Sequence, residues 1–224
     1  MAVTYAEVQE NPDLFQEYLD DFCRRFPSRY VQRLVYTSQH DFKFVWGREL
    51  YERGLLSSKV LSSLEQGHCS PVDLFGLGRE NVLASVPFIN QVLGKRIPHP
   101  IVIFPLALKM DERSLYVTLV GHEYVHAEDM SNGIPLSHGK KLTSKNIRYL
   151  DPDFVADFIE LRANIHQRSF SYQHFPDLGG DNEQARKEYY DQEIEFWYNK
   201  VLAFASLSNP LEKVVIATAK TLMN

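Results

Sequence analysis

The run Leu119-Val120-Gly121-His122-Glu123-Tyr124-Val125-His126 places two histidines four residues apart, with a glutamate directly after the first. On a helix, positions four apart share a face, so the His122 and His126 imidazoles can chelate one metal ion. Glu123 lies about 100° further round, beside such an ion rather than bound to it. There it can take a proton from an activated water and pass it to a leaving group. Zinc, one ion per chain, is the expected metal, because imidazole suits it and it polarises a carbonyl without redox chemistry. Leu115, Leu119, His122 and His126 fall at i, i+4, i+7 and i+11, so the histidines continue a leucine face and should point inward. Between Ser114 and Ala127 the only charged residue is Glu123. A carboxylate on so apolar a helix is costly to bury alone, and a bound cation removes that cost.

A catalytic zinc usually keeps three protein ligands and one open position, so a third ligand is needed. In the segment Asp151 to His166, Phe154, Phe158, Leu161 and Ile165 make an apolar stripe. Asp153, Asp157, Glu160 and Asn164 make a second stripe beside it, with no lysine interleaved. Glu160, central in that stripe, is read as the third ligand. Asp129, on the same helical face as the histidines, and His138, in a loop beside Gly139, are the competing candidates. Asp129 is too close along the helix to complete a tetrahedron easily and is better placed to support a histidine. Asn164 and Asp157, one turn either side of Glu160, are placed to accept hydrogen bonds from the ligating rings. His166 falls roughly on the opposite side of its helix and is not expected to ligate.

His122-Glu-x-x-His126 followed by Glu160-x-x-Ala163-Asn164 resembles the gluzincin branch of the zincin metallopeptidases. In that branch a second helix delivers a glutamate ligand, often with Asp or Asn one turn later. The short spacing and Glu160-Leu-Arg-Ala163-Asn164 are most similar to the small intracellular ImmA/IrrE-like members. That group usually continues with Phe-Ala where this chain has Ile165-His166. The resemblance runs from Ile101 to Phe170. It implies a zincin-like core with a small sheet, and a strand at Ile101 to Phe104 that binds extended substrate. The metzincin pattern is absent, since position 132 is Asn.

The elements that must position these residues are marked mainly by their caps. Asn11-Pro12-Asp13 opens a helix with Phe15, Leu19, Phe22 and Phe26 on one face. Arg29 to Thr37, Arg48 to Leu56 and Asn81 to Leu93 read as mostly helical. Ile101 to Phe104 reads as a buried strand. Asp111 caps the helix bearing the histidines, which runs to about Gly133. Asp151-Pro152 opens the next, reaching roughly Phe170. Pro176 to Asn182 is turn-rich, Glu183 to Leu207 is a long aromatic-rich helix, and Asn209-Pro210 starts the last. The predicted fold is helix-rich α+β in one compact unit. Residues 1–97 form a mostly helical N-terminal part, 98–175 the metal-site core, and 176–224 the C-terminal helices.

Other residues are weighed against plainer roles. Lys140, Lys141, Lys145 and Arg148 give one loop four positive charges and no negative one; a solvated connection is the plainer reading, attraction of an acidic substrate segment the sharper one. Tyr149 or Tyr172 could stabilise an oxyanion. Peptide deformylases also combine a cysteine with His-Glu-x-x-His, but their glycine-rich segment is missing here, so Cys69 reads as a packed residue. The aromatics Tyr189, Tyr190, Phe196, Trp197 and Tyr198 read as packing surface.

Composition bounds the function. The 224 residues are 44% apolar and 24% charged, with 11 Gly and 11 Pro, which excludes a disordered or collagen-like chain. A net charge of −5 argues against nucleic acid as partner. No apolar run approaches a membrane span, and no secretory signal is seen at the N-terminus. Two cysteines fit a reducing compartment, hence the cytoplasm, with export lacking a cleavable signal as the alternative. The expectation is a zinc metallopeptidase acting on a narrow protein or peptide substrate, with Glu123 as general base. The alternative is a non-catalytic metal-binding or interaction module on the same scaffold. Protonation of the histidines below roughly pH 5 to 6 should expel the ion. Neither the oligomeric state nor the substrate is legible.

Overall fold

The computed structural model describes residues 7, 11, 13–26, 34–36, 58, 62, 66, 84–85, 101–103, 105–143, 145–204 and 209–224. Arg48 to Leu56 and Cys69 lie outside these residues. By internal contacts the chain divides into Met1–Leu119 and Val120–Asn224. The described residues are predominantly helical with two small sheets, a helix-rich α+β architecture.

In the first unit, helix α1 (Asp13–Arg25) begins at the Asn-Pro-Asp signal and buries Leu19 and Phe22. The Phe22 and Phe26 rings lie 6.4 and 5.1 Å from that of Tyr116, and Arg25 pairs with Glu112. Strands β1 (Leu34–Tyr36), β2 (Ala84–Ser85) and β3 (Ile101–Ile103) form one sheet with β3 in the centre. Leu34 pairs with Ile101 in parallel, and Ala84 pairs with Ile103 antiparallel.

Two expectations are corrected here. The helical readings of Arg29 to Thr37 and Asn81 to Leu93 fail at 34–36 and 84–85, which are strand. Runs this short carry no helical or strand periodicity of their own; pairing with distant Ile101–Ile103 decides them. The strand at Ile101 does form, but hydrogen bonding to β1 and β2 occupies both of its edges. It therefore has no open edge on which an extended substrate could add as a further strand.

Asp111 caps helix α2 (Glu112–Thr118), its Oδ1 accepting from Ser114 N at 3.0 Å. Next comes a π-helical turn, Leu119–Glu123, and then helix α3 (Tyr124–Asn132). The division between the two units falls within this run. Gly133 ends α3 at φ 79°, with its Cα so close to the next hairpin that a Cβ would stand 2.7 Å from Leu142 O. Only glycine satisfies both conditions. Strands β4 (Ile134–Pro135) and β5 (Lys141–Leu142) form that hairpin.

Helix α4 (Pro152–His174) starts where Asp151-Pro152 predicts, with Asp151 Oδ1 accepting from Asp153 N and Phe154 N. It extends four residues beyond Phe170. Helix α5 (Glu183–Ala203) ends short of Leu207, and α6 (Pro210–Met223) is capped by Asn209. The core of the second unit joins Phe154, Phe158 and Leu161 of α4 to Ile194 and Val201 of α5 and to Val215 and Ala219 of α6. Of the α5 aromatics, Tyr190 is buried and Trp197 and Tyr198 pack on this core, whereas Tyr189 and Phe196 are exposed. Among the described residues no helix is long and apolar enough to cross a membrane.

Candidate metal centre

Three side chains of the second unit converge. His122 Nε2 and His126 Nε2 are 3.1 Å apart; Glu160 Oε2 lies 3.4 Å from the first and Glu160 Oε1 3.5 Å from the second. Four ligands placed tetrahedrally at about 2.0–2.1 Å from zinc stand about 3.3 Å from one another. The two nitrogens stand near that edge length and each has a different Glu160 oxygen at a comparable distance, so this donor set could hold a zinc ion. Neither Asp129 nor His138 belongs to this group.

The geometry arises from two helices packed in opposite directions. His122 of the π turn meets Gln167 of α4, and Asp129, seven residues on, meets Arg162, five residues back. A helix with a glycine in mid-run sacrifices about 1 kcal/mol relative to alanine. Gly121 answers with proximity: a Cβ there would stand 3.1 Å from Gln167 Cα. The π turn widens the helix at the same place, and the Gly121 carbonyl accepts from His166 Nδ1 at 2.8 Å. Single π turns of this kind recur at functional sites.

Gln167 Oε1 accepts from His122 Nδ1 at 3.1 Å. With its hydrogen on Nδ1, that ring presents the Nε2 lone pair to the cluster, the tautomer a metal ligand requires. His126 Nδ1 is buried with no hydrogen-bond partner. Its polar contacts are thus all made through Nε2, to His122 and Glu160.

The supports foreseen for the histidines take other partners, which corrects three assignments. Asp129 is held by Arg162 through Nε–Oδ2 at 2.9 Å and Nη2–Oδ1 at 3.0 Å, with its side chain only 4% exposed. Asp157 receives Lys200 Nζ of α5 at 3.3 Å. Asn164 Nδ2 donates back to the Glu160 carbonyl of its own helix. Each finds a nearer charge or carbonyl than an imidazole ring. His138 occupies the exposed tip of the β4–β5 hairpin at φ 61°. Tyr149 is exposed and accepts from Arg148, while the Tyr172 ring packs under the Arg186 guanidinium. Neither tyrosine is shown against the cluster.

Two contributors went unread in the sequence. Gln167 continues the Glu160, Asn164 stripe by three residues, so its spacing was a usable signal. Gly121 was the other, an isolated glycine in an otherwise apolar helix.

Electrostatics make the cluster a place that asks for positive charge. Burial opposes ionisation of His122, but the Glu160 hydrogen bond and the charges of Glu123 and Glu160 outweigh it and raise its pKa. Burial, and then the neighbouring His122, push His126 down to about 4, with Glu160 opposing. Burial raises Glu123 to about 7, opposed by His122 and reinforced by Glu160. Arg162, the cation nearest in sequence to Glu160, is committed to Asp129.

Gly121→Ala tests the close approach. The atom it meets is backbone and cannot step aside, so the two helices must separate by a few tenths of an ångström. The gain in helix propensity offsets part of the stability loss, but not the lengthened His122–Gln167 bond. Zinc affinity, read by competition with a chelator, should fall about tenfold or more. Unchanged affinity would show that the approach at Gly121 does not govern the site.

No family model, curated protein or solved structure matches the chain.

Proposed function

We propose that the protein is a zinc-dependent peptidase of gluzincin type, working in the cytoplasm on a protein or peptide substrate. The observation that carries the reading is the convergence of His122 Nε2 and His126 Nε2, 3.1 Å apart, with one Glu160 oxygen 3.4 Å from the first and the other 3.5 Å from the second, and Glu123 buried next to His122. These three side chains would hold the ion. When bound, zinc lowers the pKa of water and polarises a carbonyl. Glu123 takes the proton from the attacking water and delivers it to the departing amine. Gln167 keeps His122 in the ligating tautomer, and the Asp129–Arg162 pair holds α3 against α4. The zincin-like core belongs to this proposal, as does the general-base role of Glu123.

The paired edges of β3 favour a second reading, a metal-binding interaction module that hydrolyses nothing. Metal analysis by mass spectrometry is the first test of the shared premise. Purified wild type should carry about one zinc per chain, and His126→Ala and Glu160→Ala should carry none. Zinc retained by Glu160→Ala but lost by His126→Ala would move the third ligand elsewhere. A wild type that takes up no zinc on reconstitution would end both readings.

A further inference from the structure

The segment between Asp129 and Asp151 contains no carboxylate, yet carries Lys140, Lys141, Lys145 and Arg148, all exposed. Backbone hydrogen bonds tie its described residues together. Leu136 N donates to Lys140 O at 2.8 Å across a turn in which His138 and Gly139 have φ 61° and 70°. Asn146 ties the following loop by accepting from Thr143 N at 2.7 Å and donating to Lys141 O at 3.0 Å. Ser137 N donates to Thr218 of α6 at 2.9 Å, which fixes the hairpin to the core. The cations, by contrast, are not neutralised. Among the described residues none of the four meets a carboxylate; Lys141 Nζ donates to Asn132 O, and Arg148 donates to the Tyr149 hydroxyl. Elsewhere in this unit Arg162, Arg168, Arg186 and Lys200 each lie within 4.0 Å of an acid, while Lys187, Lys213 and Lys220 stand scattered along α5 and α6 rather than in one run. Tyr149 adds a 64% exposed ring to the same segment.

Lys141 also lines a cavity of about 620 Å³ whose apolar wall is Val125, Pro135, Ile165 and Leu222 and whose two carboxylates are already engaged, Glu128 by Asn132 and Asp129 by Arg162. Four exposed cations within nine residues, one of which lines an apolar recess, select for both charge and bulk. The chain as a whole carries a charge of −5, so a long polyanion would be repelled beyond the patch while a short acidic segment would not. We propose that residues 138–149 and this cavity dock an acidic peptide segment bearing one bulky apolar side chain. The docking needs no metal and stands apart from the peptidase reading.

The test is fluorescence anisotropy with the full-length chain, in chelator, and a labelled Glu-Asp-Glu-Phe-Glu-Asp-Glu peptide. Binding should weaken steeply with salt, and by about tenfold or more in the Lys140→Glu/Lys145→Glu double variant, whose two positions are exposed. Helical circular dichroism of that variant should match wild type. Replacing the peptide's Phe by Ala should cost a further several-fold in Kd. The proposal is overturned if the double variant binds as well as wild type, or if a peptide with lysines in place of the acids binds equally. It is also overturned if single-stranded RNA or phosphatidylserine vesicles bind more tightly than the peptide.

Discussion

Glu123→Gln should retain about one zinc per chain while hydrolysis of a susceptible peptide, found by library screening, drops by about 10²–10⁴-fold. The substitution keeps the shape of a side chain that is buried beside His122 and removes only its ability to hold a proton. A second readout needs no substrate. In metal-free protein Glu123 is raised to about 7 by burial, opposed by His122 and reinforced by Glu160. A carboxyl whose folded pKa lies above its unfolded value contributes stability that is complete below the unfolded pKa of about 4 and is lost as pH rises through the folded one. Metal-free Glu123→Gln should accordingly melt above wild type at pH 8, and the difference should shrink towards pH 5. Equal hydrolysis by the variant would remove Glu123 from the chemistry. Metal lost along with activity would make it a ligand rather than a base.

Arg162→Ala should destabilise the protein by about 3–5 kcal/mol, because it strands a carboxylate in the interior. Asp129 makes two hydrogen bonds to the guanidinium and has almost no access to water. Burial already raises its pKa even with Arg162 in place. The double change Arg162→Met with Asp129→Leu should recover most of that loss, since it removes both charges together. Urea denaturation followed by helical circular dichroism measures both. A single variant within about 1 kcal/mol of wild type would mean that the pair is exchangeable for water and does not brace the two helices. Zinc affinity should fall in the single variant, because the pair lies three residues from His126 and two from Glu160.

The parts of this molecule that could be read from sequence are those whose causes are local. Asp111, Asp151-Pro152 and Asn209-Pro210 each announce a helix start, and each does so by a side chain accepting from the backbone two or three residues on. His122 and His126 declare themselves by spacing alone, and Glu160 by its place in an acidic stripe bordering an apolar one. What escaped depends on partners far along the chain. Leu34–Tyr36 becomes strand by pairing with Ile101–Ile103, a contact no window of sequence contains. Asp129, Asp157 and Asn164 were correctly seen as polar groups near buried faces, and Asp129 and Asp157 were claimed by Arg162 and Lys200, while Asn164 turned back to its own helix. The π turn at Leu119–Glu123 has no compositional signature beyond Gly121.

The opposed pairing of α3 and α4 also bears on how quickly the cluster can assemble. His126 and Glu160 are joined by a short stretch of chain that is itself organised by a tight hairpin. Loop-closure entropy grows only as the logarithm of loop length, and local topology folds fast. By that argument the two histidines and the glutamate can come together ahead of contacts in residues 120–224 that close longer loops. An ion present at that stage acts on the forward barrier as well as on the finished state. On the proposed zinc reading, metal supply and chain folding would then be coupled in time, and a nascent chain that meets zinc during synthesis would gain in refolding rate, not only in resistance to unfolding.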